Sequence, residues 1–129
     1  MNTIHINGNL GKDPELKYNS AGNAICKLSV ASRYKPKSGE EETTWFTVIA
    51  FGDLAEHVAE SLSSGLRVSV SGRFRKQKWE KKDGTMGYSD EVIAQDISVD
   101  LRFQTVEVQK GGRPAPKQAQ AAYVDEEPF

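Results

Sequence analysis

One short helical pattern set among strand patterns constrains this chain most. Asp53-Leu54-Ala55-Glu56 places an acidic side chain three residues before Glu56, the acidic form of a capping box. Leu54, Val58 and Leu62 then recur at i, i+4 and i+8, and Gly65 offers a left-handed stop. Around this helix the periodicity is two. Thr3 to Asn7 alternates polar and apolar until Gly8-Asn9 and then Asp13-Pro14 interrupt the pattern. Ala24 to Ser32 puts Ala24, Cys26, Leu28 and Val30 on one side, and Thr43 to Phe51 is rich in β-branched and aromatic residues. Leu66 to Lys82 is a long strand broken at Gly72, the bend a small barrel requires. Lys82-Asp83-Gly84 turns it into a partner strand from Tyr88 to Ala94. Three strands, one helix and two strands is the order of a five-stranded OB-fold Greek-key barrel. The expected fold is therefore all-β with one short helix.

The pattern stops near Val108. Residues 1–108 are expected to form the barrel domain, 109–123 a flexible linker whose stretch from Gly111 to Gln120 has no large apolar side chain, and 124–129 an acidic tip. The tip, Asp125-Glu126-Glu127-Pro128-Phe129, joins acids to a terminal ring and is expected to bind partner proteins. No apolar run approaches a membrane span, the N-terminus lacks the basic and apolar regions of a secretory signal, and the single Cys26 leaves no internal disulfide. A cytoplasmic location is the expectation.

The net charge of −1 hides a local excess. Residues 1–110 carry 15 basic and 15 acidic side chains, yet Arg73, Arg75, Lys76, Lys78, Lys81 and Lys82 face only Glu80 within their own stretch. A local field suffices to attract nucleic acid. Alternation puts Trp45, Thr47, Ile49 and Phe51 on one face of their strand, opposite Phe46, Val48 and Ala50. In the next strand Val68, Val70, Gly72 and Phe74 form a core set, which leaves Arg73, Arg75, Gln77 and Trp79 together outside. Cations for phosphates beside rings for unpaired bases are what single strands require. Periodicity alone leaves open a solvated hairpin whose Trp79 caps the core. His5 and His57 lack partners at metal-ligand spacing, Glu40-Glu41-Glu42 reads as a solvated charge run, and no nucleophile–base pair stands out. No enzyme, metal or cofactor is expected.

Residues Asn7 to Tyr18, Trp45 to Gly52, Leu54-Ala55-Glu56 and Gly72 to Trp79, with the Pro-Phe tip, closely resemble bacterial single-stranded-DNA-binding proteins. The local basic charge makes Arg73, Arg75, Lys76 and Lys78 the expected phosphate contacts, and the resemblance implies base stacking on Trp45, Phe51 and Trp79 and a homotetramer that wraps DNA. It also implies sequence-tolerant protection of single strands in replication, recombination and repair, association with the nucleoid, and recruitment of replication and repair proteins through the tip. Many relatives carry a further tryptophan after the second strand; here Tyr34 takes its place or the contact is missing. Glu127 stands where an apolar residue is usual. Residues 99–108 have strand character and resemble an added C-terminal strand that clamps subunits in some relatives. Two alternatives accompany this reading: an OB-fold scaffold module in a replication-restart, plasmid or phage complex, and a cold-shock-like RNA binder.

Overall fold

The computed structural model describes residues 1–110, in which a single sheet curls until its two ends meet. In chain order it has β1 (Ile4–Leu10), β2 (Glu15–Tyr18), β3 (Ala24–Tyr34), β4 (Glu42–Phe51), α1 (Asp53–Ser61), β5 (Arg67–Glu80) and β6 (Met86–Val99). The strand order β1-β5-β6-β4-β3 closes because Asn9 and Leu10 of β1 pair with Ala31 and Val30 of β3. All pairings are antiparallel except β4 with β6, where Val48 lies opposite Val92. These five strands are the expected barrel.

The expected core faces are the observed ones. Cys26, Leu28, Val30, Val48, Ala50, Val68, Val70 and Val92 are at most 1% exposed. Burying a valine or leucine side chain contributes about 1.5–3 kcal/mol, so this ring of aliphatics supplies much of the driving force. Cys26 packs as a small hydrophobe, and burial pushes its thiol pKa up. Ala55, Val58 and Leu62 seal one end of the barrel beneath α1.

Several local expectations are corrected. β1 runs through Gly8-Asn9 to Leu10, because the missing side chain at Gly8 lets the strand approach β3; a Cβ there would collide with the Ala31 carbonyl. After the Asp13-Pro14 break the chain resumes as β2, a sixth, four-residue strand on the same edge of β3. Asp53 does not cap α1 but begins it. Gly52, at φ 67°, makes the sharp exit from β4, and no side chain caps the helix. The helix ends at Ser61, and Gly65 belongs to the later turn into β5, where its N–H donates to the Leu10 carbonyl. β6 is longer than expected at both ends.

The expected strand over 99–108 is absent. β6 stops at Val99, and Asp100 turns the chain by accepting from the Arg102 N–H at 2.9 Å and from Arg67 Nε at 2.6 Å. The Gln104 amide donates to the carbonyls of Arg67 and Asp100, which fixes the turn in place of a new ladder. The linker beyond residue 110 and the tip at 124–129 lie outside the described residues. Among the described residues, no helix is long and apolar enough to cross a membrane.

Candidate nucleic-acid interface

Gly72 divides β5 into two parts with different jobs. Before it, the strand is barrel wall, held by β1 as far as the Ile4–Gly72 pair. At Ser71/Gly72 the register with β6 shifts by a bulge, and a Cβ on Gly72 would collide with the Ile93 carbonyl. Beyond Phe74, β5 and β6 continue as a two-stranded ribbon whose side chains are mostly exposed on both sides. Its tip is a tight turn in which Gly84 takes φ 85° and Asp83 accepts from the Thr85 hydroxyl and N–H. Those two hydrogen bonds hold the Asp83 carboxyl below its usual pKa.

The outer faces of β3, β4, β6 and β5 align in rows. Ala31 pairs with Trp45; Ser29, Thr47, Glu91 and Arg75 form the next row; Lys27, Ile49, Ile93 and Arg73 form the one after. Trp79 follows along β5 opposite Gly87, and Phe51 lies opposite Ile25. One continuous face therefore carries Trp45, Phe51 and Trp79, exposed by 60%, 46% and 45%. Two of these rings lie on glycine. A Cβ on Gly11 would stand 2.6 Å from Cζ3 of Trp45, and one on Gly87 would stand 2.5 Å from Cε2 of Trp79. Each indole thus occupies the space a side chain at the glycine would need, and each stays about half exposed to solvent.

The cations are less uniform than expected. Arg73 is exposed and has no ion pair among the described residues. Arg75 is engaged: its Nε and Nη2 each lie 3.1 Å from Oε1 of Glu91, and Nη2 donates to Gln77. Lys76 and Lys78 fall on the opposite side of the ribbon from Trp79, as a period of two requires. There Lys76 approaches Asp90 at 3.9 Å, and the ammonium of Lys78 lies 5.9 Å from the ring centre of Tyr88. Tyr34 is exposed at the end of β3 beside the loop into β4, separated along β3 from the Ala31–Trp45 pair. The structure brings Trp45, Phe51, Trp79, Arg73 and Arg75 onto one face and leaves Lys76 and Lys78 behind it. Glu91 and the exposed ring of Tyr88 carry no sequence signal of their own. Parity with Trp79 and Lys78 reveals them only once the β5–β6 register is known.

The model of the single-strand binding protein family matches residues 1–100, ending one residue past β6. Proteins named single-stranded DNA-binding protein from Mycobacterium bovis and from two strains of Mycobacterium tuberculosis are each 37% identical to this chain. In each case the match covers 96% of this chain and 85% of the relative. A closed OB-type barrel, a flat aromatic face and a match over both chains point the same way, and the chain belongs to the single-strand binding protein family.

Proposed function

We propose that the protein binds single-stranded DNA with little regard to sequence, protecting it during replication, recombination and repair. The observation that carries this reading is the shared face of Trp45, Phe51 and Trp79, with Arg73 on the same face and in no ion pair among the described residues. Rings open to solvent offer stacking to any base, and a guanidinium offers charge to the phosphate between bases. Names of relatives that share nearly the whole chain support it.

The working form is a homotetramer, since one small barrel spans only a short piece of strand. The acidic tip, Asp125 to Phe129, recruits replication and repair proteins, and the assembly resides with the nucleoid in the cytoplasm. A titration with oligo-dT, following tryptophan fluorescence and particle mass together, tests the core of this. Quenching at about four times the chain mass of 14.3 kDa is expected. Absence of quenching would favour a scaffold module, and quenching by RNA alone would favour a cold-shock-like role.

A further inference from the structure

The aromatic face does not end at Phe51. Across β3 from that ring lies Ile25, and across β3 from Ile25 lies Lys17 of β2. One row along, Ile49 faces Lys27. Lys17, Tyr18, Ile25, Lys27 and Ile49 line a groove of about 320 Å³. That is the small end of the range for ligand sites, roughly 300–1,000 Å³. Its floor is apolar, because Ile49 is only 8% exposed although it sits on the outer face of the barrel. Its edges are cationic. Glu15 also reaches the groove, but Lys12 holds its carboxylate at 2.9 Å and lowers its pKa. Lys17 and Lys27 have no ion pair among the described residues, so the groove has a net positive rim.

We infer that this groove is a further nucleotide site, taking the base and phosphate that come after the one stacked on Phe51. The inference rests on the single-strand reading and extends it to β2. Three features favour a nucleotide over an apolar peptide or a second copy of the chain. The groove is continuous with the ring of Phe51 through Ile25. Its floor is apolar, as the face of a base requires, and Tyr18, 58% exposed, is among its lining residues and carries one more ring. Two ammonium groups, in no ion pair among the described residues, stand at the rim and can meet a backbone phosphate.

Tyr18→Ala and the double variant Lys17→Gln/Lys27→Gln test it, measured as the intact protein with a length series of dT oligonucleotides. All three side chains are exposed, so both variants should fold. For the shortest oligonucleotides that quench fluorescence, affinity should match the parent. For longer ones it should fall, by about 5- to 150-fold for Tyr18→Ala on the usual scale of base–ring stacking. The double variant should lower the log–log salt slope on long oligonucleotides by about 0.7 per lysine. Parent-like affinity at every length would overturn the inference, as would an equal loss at every length, which would mark a diffuse field effect. A parent protein that shows no quenching at any length would instead remove the single-strand reading itself.

Discussion

Arg75 and Glu91 face each other across the β5–β6 ladder, with 3.1 Å between guanidinium and carboxylate, in the row next to Trp45. The carboxylate is only 15% exposed, so its charge is tied to one partner. An anion on a surface meant for phosphates is tolerable only while that partner neutralises it. Arg75 therefore acts first as a screen for Glu91. Arg75→Ala should weaken DNA binding by about 1–2 kcal/mol, and adding Glu91→Gln should restore most of it. Arg73→Ala should instead flatten the salt dependence by about 0.7. A double variant no better than Arg75→Ala would return Arg75 to the role of a phosphate ligand.

Trp45→Ala and Trp79→Ala should each cost on the order of 1–3 kcal/mol of affinity, about equally for dT, dC and mixed oligonucleotides. Stacking reads no hydrogen-bond pattern, so a strong composition dependence in the loss would point to base-edge contacts. Equilibrium titration of the three proteins settles which.

The glycine under Trp79 gives a subtler test. Gly87→Ala adds a methyl where the indole now lies, and the ring must lift while the ribbon keeps its hydrogen bonds. The expected result is a shifted tryptophan emission and a loss of affinity smaller than that of Trp79→Ala. Emission and affinity identical to the parent would mean the ring does not rest on Gly87.

Asp100 links its turn to pH. The Arg102 N–H first, and the Arg67 guanidinium second, hold its carboxyl below the ordinary aspartate range. A carboxylate so lowered stabilises the fold above the ordinary range and loses that contribution as pH falls through the lowered value. The Arg102 amide signal in NMR should titrate with a midpoint below that of a free aspartate. Asp100→Asn should abolish that titration. An ordinary midpoint would mean the turn is not held by these bonds.

Deletion of residues 124–129 should abolish capture of replication and repair proteins and leave DNA affinity level or slightly higher. Any gain should be clearest at low salt, where acidic competition is least screened. Equal recovery of those proteins by both forms would defeat the recruitment role.

Much of the fold and of the aromatic face is legible in the chain. Period two places Val68, Val70 and Phe74 inward and Trp79 outward, and the i, i+4 spacing of Leu54 and Val58 places the helix. The strand Glu15–Tyr18 is hidden because only Leu16 points toward the core, so four residues carry no apolar rhythm. Lys76 and Lys78 group with Trp79 by nearness in sequence, although their parity puts them on the other side of the ribbon. The pairing of Arg75 with Glu91 depends on the register shift at Ser71/Gly72; Gly72 marks the bend in the sequence, but not by how much the partner strand slips there. Residues 99–108 keep strand-like alternation, yet Asp100 accepts from Arg67 Nε and the Arg102 N–H, and the chain turns there.

The register of β1 also bears on how the chain is made. Ile6 pairs with Val70, and every β1–β5 pair joins residues comparably far apart in sequence. A ribosome adding about 5–20 residues per second needs roughly 3–13 s to deliver β5 after β1 has emerged. Through that interval β1 has only the short Asn9–Leu10 contact with β3 available to it. The nascent protein thus offers an open hydrogen-bonding edge for seconds, a template on which another chain can pair before β5 arrives.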